Sequence, residues 1–208
     1  MNSNMGKRDK CILLLHTVLV VLELFAAVHM ISNEGLSVLR YYTVDSNMLQ
    51  LLVSAGYLAC FIGKKEVPAA LTVMHLVASV CLTVTFLIAA FVLMPQSTFA
   101  YYFLDDVAPI NHFIGPLLSV TTLMLSDKKI PRPAVIAPAA ATVIYGIILL
   151  ILNAARVVTG PYFFLEIYST PIATIIMWFA IIIILCVALT AAYMYIHSRV
   201  LRTFPDPE

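Results

Sequence analysis

Charge is what this chain has least of: Lys, Arg, Asp and Glu make up 11% of its 208 residues, against 62% that are apolar. Soluble chains carry about 25% charged residues, so an ordinary globular protein is excluded. A mean hydropathy of +0.99 excludes disordered, collagen-like and disulfide-rich secreted chains as well, because none of those compositions is this apolar. Neither sign of charge dominates, with 12 basic and 11 acidic residues, which leaves no overall footprint for nucleic acid or anionic lipid. Cysteine is scarce too. Cys11, Cys60, Cys81 and Cys186 all fall within or at the ends of apolar runs, which predicts buried free thiols and no external disulfide. No Cys/His spacing of zinc type occurs, so neither a metal nor a cofactor is expected.

What the chain has instead is length in its apolar runs. Crossing about 30 Å of hydrocarbon takes about 20 apolar residues, and six runs qualify: 11–31, 41–62, 68–94, 107–125, 134–155 and 171–197. They consume nearly the whole chain and leave no room for a soluble domain. The expectation is a single domain over 1–208, an all-α bundle of six transmembrane helices. Of the 12 basic residues, ten fall on alternate connections: Lys7, Arg8 and Lys10, then Lys64 and Lys65, then Lys128, Lys129 and Arg132, then Arg199 and Arg202. The positive-inside rule therefore places both termini in the cytoplasm. The first run follows a basic stretch as a signal peptide would, but it is long and contains Glu23 and His29, so it reads as an uncleaved span.

Three similar pentapeptides recur at starts 60 and 61 residues apart: Tyr41 to Asp45, Tyr101 to Asp105 and Tyr162 to Glu166. Even spacing suggests three helical hairpins related by duplication. The alternative is that aromatics collect at membrane interfaces and carboxylates sit where water begins.

Polar residues inside the runs are aligned rather than scattered. Arg40, Thr43, Asn47, Gln50 and Ser54 share one helical face of the second run. In the fourth run Asp105, Ala108, His112, Gly115, Ser119, Thr122 and Ser126 do the same. Thr72, His75, Ser79 and Thr83 line the third, and His16 and Glu23 share a face of the first. Small and hydroxyl residues commonly mediate helix packing in membranes. Glu23, Asn47, His75 and His112 are harder to dismiss, because ionisable or amide groups at membrane depth usually face a cavity and mark function.

Depth pairs two of these residues. At 1.5 Å rise per residue, Thr43 and His112 lie within a few Å of the same level. A threonine hydroxyl needs a base to act as a nucleophile, and neutral imidazole is the usual one. Asn47, one turn below Thr43, could donate to a developing oxyanion. Arg40 and Asp45 border this group, and His75 and Glu23 lie deeper.

Three short motifs carry a resemblance. Arg40-Tyr41-Tyr42-Thr43 with Ser46-Asn47, His112 followed by Pro116, and Gly160-Pro161-Tyr162-Phe163-Phe164-Leu165-Glu166 resemble the androgen-induced protein family of six-span membrane threonine hydrolases and its bacterial six-transmembrane relatives. The resemblance implies an intramembrane hydrolase of lipid esters near the outer leaflet, with Thr43 as nucleophile and His112 as base, and membrane lipid as its surroundings. A second reading from the residues is a small-solute or proton-coupled transporter or sensor with Glu23, His75 and His112 in its path. Against it, glycine and proline are sparse inside the runs apart from Pro109, Gly115 and Pro116, and alternating access usually needs broken helices. A third is a non-catalytic membrane scaffold. A plasma or bacterial inner membrane fits better than an organelle.

Overall fold

The computed structural model describes residues 6–203, with the side chains of Arg202 and Thr203 outside them. Among these residues every regular element is helical. Helix α1 spans Lys7–Glu34, and its 28 residues reach about 42 Å at 1.5 Å per residue. It stops at Gly35, whose φ of 70° is open to glycine and strained for other residues. A short 3-10 turn, Gly35–Arg40, leads into α2, Tyr42–Ile62. Pro68 precedes α3, Ala69–Ile88, which widens into a π-turn at Ala89–Leu93. The five-residue helix α4, Phe99–Phe103, is capped by the Thr98 hydroxyl accepting the Tyr101 N–H at 3.2 Å. A second π-turn, Ile110–Ile114, runs into α5, Gly115–Leu125. Helices α6, Ala137–Ala154, and α7, Ile172–Thr203, complete the chain.

Four stretches are long and apolar enough to cross a membrane: Lys7–Arg40, Ala69–Gln96, Arg132–Ala154 and Ile172–Leu201. Helix α2 has the length, at 21 residues, but Asn47, Gln50, Ser46 and Ser54 dilute its hydropathy. The fourth run becomes helical at Ala108, close to its expected start, passes through the π-turn Ile110–Ile114 and ends at Leu125; its Ile110–Leu125 stretch is an apolar helix shorter than those four. Proline explains the irregularity: Pro116 has no N–H to give the preceding turn, and a π-turn absorbs such a defect within a helix. The sixth run starts as expected and extends past residue 197 as continuous helix to Thr203.

The three pentapeptides have different local structures. Asp45 lies in the first turn of α2, Asp105 follows α4 in a turn closed by Ala108 N–H, and Glu166 sits in the loop before α7. Their sequence likeness is not matched by a common backbone.

Helix α1 packs along α2 and α5, and α3 lies among α2, α5, α6 and α7. The apolar core, built from Leu76, Val80, Val84, Leu123, Ala134 and Cys186, sits where α3 meets α5 and α7. Helix α7 exposes Ile172, Ile176, Met177 and Ile184 outward, as a helix facing lipid would. All four cysteines are free. At one end of the bundle, Arg8 Nε donates to the Leu125 carbonyl at 2.8 Å and His197 Nε2 meets the Ser126 carbonyl at 3.0 Å.

Candidate functional site

The aligned polar residues converge as a column among α1, α2, α3 and α5. The Ser119 hydroxyl donates to Gln50 Oε1 at 2.7 Å and meets the Ser79 hydroxyl at 2.8 Å. On its other side the Gln50 amide donates to the Ser54 hydroxyl at 2.9 Å, which lies 3.1 Å from His16 Nδ1. The Ser54 hydroxyl and His16 Nδ1 share this hydrogen bond, whose donor depends on the His16 tautomer, and His16 Nε2 has no partner.

His75 carries the complementary arrangement. Its Nε2 lies 3.0 Å from Thr122 Oγ1, and that hydroxyl donates to the carbonyls of Leu118 and Ser119 at 3.0 and 2.9 Å. Thr122 therefore accepts from His75 Nε2–H, and His75 Nδ1 is left as a bare acceptor without a partner. The two imidazoles are 5.4 Å apart between ring centres, and each has one nitrogen, His16 Nε2 and His75 Nδ1, without a partner. Tyr57 stacks on His16 at 4.4 Å and meets His75 edge-on at 5.2 Å. It also lines a cavity of about 320 Å³ with Asp9, Lys64, Ser126, Asp127 and Lys128, at the basic end of the bundle.

Toward the other end the column meets Glu23. This residue is 1% exposed, and neither carboxyl oxygen has a hydrogen-bond partner. It lies against Gly115: a methyl group built there would be 2.5 Å from Glu23 Oε1, 2.9 Å from the Ile110 carbonyl and 3.1 Å from Asn47 Oδ1. Asn47 is fixed in this orientation because its amide nitrogen donates to the Thr43 carbonyl at 2.7 Å and the Asn111 carbonyl at 3.2 Å. Turning the amide over would forfeit both bonds. Oxygen atoms therefore surround the place a side chain at Gly115 would fill.

Thr43 and His112 are arranged differently from one another. Thr43 is half-buried and lines a small apolar cavity of about 60 Å³ with Thr85, Ile88, Tyr145, Phe164 and Phe179, and the Tyr162 phenol sits beside it. His112 belongs to the π-turn, with Nδ1 3.2 Å from the Ala108 carbonyl and its ring edge-on to Tyr102 and Phe103. Among the described residues no hydrogen bond joins Thr43 to His112, and His112 does not line the Thr43 cavity. What brings their two stretches of chain together is the Asn47 amide, bonded to the carbonyls of Thr43 and Asn111.

The other expected residues lie nearby. Arg40 Nη2 donates to the Tyr41 hydroxyl at 3.1 Å, and the Arg40 carbonyl accepts from Tyr145 OH at 2.6 Å. Arg40 and Asp45 line a separate apolar groove of about 440 Å³ with Tyr145, Ile148 and Leu152.

Gly115 and Tyr57 were not singled out by sequence as site residues. Gly115 had a signal, being a glycine in line with His112 and Ser119, whereas nothing in the pattern distinguished Tyr57 from an interfacial tyrosine. Among the described residues no group of three or more His, Cys, Asp or Glu side chains could hold a metal ion. The class these features define is a multi-helix membrane protein with a polar interior. Compared with family models, curated proteins and solved structures, the chain matches none.

Proposed function

We propose that the protein is a six-span intramembrane hydrolase of lipid esters, with both termini cytoplasmic and its reacting groups in the outer third of the bundle. Thr43 is the nucleophile and His112 the base. The observation that carries this reading is the pair of hydrogen bonds the Asn47 amide donates to the Thr43 and Asn111 carbonyls, which supports the common level of the two reacting residues.

Two further features agree with it. Thr43 lines an apolar cavity, which at about 60 Å³ would have to widen to take an acyl chain from lipid. With Nδ1–H donating to the Ala108 carbonyl, the His112 lone pair lies on Nε2, the nitrogen that would take the threonine proton. The reaction requires His112 and Thr43 to close to hydrogen-bond distance, and such contacts commonly tighten only when substrate is bound. Thr43 Oγ1 then attacks the ester carbonyl, its proton passes to His112, and the alcohol leaves with that proton. Water would release the acyl group from Thr43 in a second step.

A fluorophosphonate probe tests the assignment. Purified protein is expected to be labelled, with labelling lost in Thr43→Ala and in His112→Ala and kept in Thr43→Ser. Labelling that survives Thr43→Ala overturns it.

A further inference from the structure

The carboxyl of Glu23 is left over from this chemistry, and its surroundings make a chemical demand of their own. Glu23 Oε1 and Asn47 Oδ1 both border the space a Gly115 side chain would fill, beside the Ile110 carbonyl, which already accepts the Gly115 N–H, and neither of the two has a donor. Asn47 cannot relieve this by turning, since its two N–H groups are committed to Thr43 and Asn111. An ionised carboxylate here would be a buried charge near the unpartnered Asn47 oxygen, without a donor. Adding one proton removes the charge and creates the missing donor, because a carboxyl O–H can then bond a neighbouring oxygen.

Among the described residues no other ionisable group pairs with Glu23. Apart from the charged, tyrosine and thiol groups at the helix ends, the elements packed around it carry His16 and His29 of α1, Asp45 and Tyr57 of α2, His75 and Cys81 of α3 and His112 of the π-turn. Neither Glu23 oxygen is hydrogen-bonded to any of them, and the ion pair of His29 is with Asp106 at 2.7 Å.

We infer that Glu23, Asn47 and the Ile110 carbonyl around Gly115 form a proton-binding site within the bundle, which exchanges its proton with the basic end through the polar column. Gln50 and Ser119 stand about one helical turn, or about 5 Å, beyond Asn47 and Gly115. From there hydrogen bonds continue through Ser54 to His16, whose ring centre lies 5.4 Å from that of His75. The unpartnered nitrogens His16 Nε2 and His75 Nδ1 are the positions a relay between the two rings would use. Tyr57 connects the two rings to the cavity beside Asp127. On the opposite side Asn111 Nδ2 is held 3.2 Å from Met30 Sδ, an apolar closure with no comparable chain. The inference goes beyond the hydrolase reading, and its test does not involve ester cleavage.

Dicyclohexylcarbodiimide enters membranes and reacts with carboxyls that carry their proton. Wild-type protein in lipid vesicles would be treated across pH 5.5 to 9.5, and modification at Glu23 located by peptide mass spectrometry. The expected result is labelling at Glu23 that falls about tenfold per pH unit once the site titrates, unaffected by sodium. After a pH jump, His75→Phe, which keeps an aromatic ring in place, is expected to slow the change in labelling at least tenfold. Absence of labelling at Glu23, or labelling constant over the whole range, overturns the proton site. Protection by sodium without pH dependence overturns it in favour of a metal-cation site. An unchanged rate in His75→Phe overturns the route.

Discussion

Glu23 and Gly115 occupy complementary volumes: the space a Gly115 side chain would take is 2.5 Å from Glu23 Oε1. The contact lies deep in the bundle, and a second obstacle, the Ile110 carbonyl at 2.9 Å, is backbone and cannot swing away. Replacing a helical glycine by alanine ordinarily gains up to about 1 kcal/mol in propensity. Here the gain is expected to be outweighed, because overpacking a buried site costs about 1 to 3 kcal/mol. Gly115→Ala should lower the thermal midpoint in detergent by a few degrees. Gly56→Ala is the control, since its new methyl meets only the Leu71 side-chain tip at 3.0 Å, which can rotate. Equal midpoints for the two variants would contradict the tight fit at Glu23.

The serine pair deeper in the column makes a different prediction. Ser119 donates to Gln50 Oε1 and also meets Ser79. Ser119→Ala removes the donor of a buried amide oxygen, a loss of about 1 to 2 kcal/mol. Ser79→Ala breaks the shared bond but leaves Gln50 satisfied, so it should cost less. Because both substitutions delete the same Ser79–Ser119 contact, the double variant should be destabilised by less than the sum of the singles. Strict additivity in thermal or denaturant unfolding would mean that the pair is not coupled.

Much of this interior was legible in the sequence because helical periodicity reports which residues share a face. The stripe from Thr43 through Asn47 and Gln50 to Ser54, and that from His112 through Gly115 to Ser119 and Thr122, do meet across the bundle. Periodicity carries no information about which hydroxyl bonds which imidazole, nor about the closeness of Gly115 to Glu23. Those depend on how α1, α2 and α5 settle against one another. Hydropathy located both ends of the fourth run to within a residue, but it is blind to the π-turn inside it that accommodates Pro116. The resemblance of the three tyrosine-led pentapeptides likewise gave no warning that one would start a long helix, one a five-residue helix and one a loop.

That loop is held by a carboxylate. Glu166 accepts the Gly160 N–H at 2.8 Å, the Asn153 amide at 3.1 and 3.2 Å and the Tyr168 N–H at 3.4 Å. The Gly160 bond, helped by the others, holds its carboxyl below the usual glutamate range. The anchoring is therefore complete above the ordinary glutamate value of about 4.3 and is lost as pH falls through the lower value of the folded protein. Trp178, the one tryptophan of the chain, stacks on Phe164 of this loop at 5.2 Å and reports on it. Its emission should be constant from neutral pH to about 5 and change only in more acidic solution. Glu166→Gln should produce a similar emission change at neutral pH. A transition centred above pH 5 in the wild type would assign the change to another group.

Thr43 separates chemistry from architecture. Its side chain is half-buried with its hydroxyl beside the Tyr162 phenol, and its backbone carbonyl accepts from Asn47 and Ser46 of the same helix. Thr43→Val keeps the branched shape and that carbonyl while deleting the hydroxyl. Its thermal midpoint should fall only slightly, since the loss of one hydrogen bond, that to Tyr162, costs about 1 kcal/mol. Fluorophosphonate labelling should nevertheless disappear, and Thr43→Ser should restore it because the attacking oxygen returns. A non-catalytic scaffold would show no labelling in any of the three proteins. If the valine variant unfolds in proportion to its loss of labelling, the hydroxyl is a structural group of the Tyr162 corner and the nucleophile assignment falls.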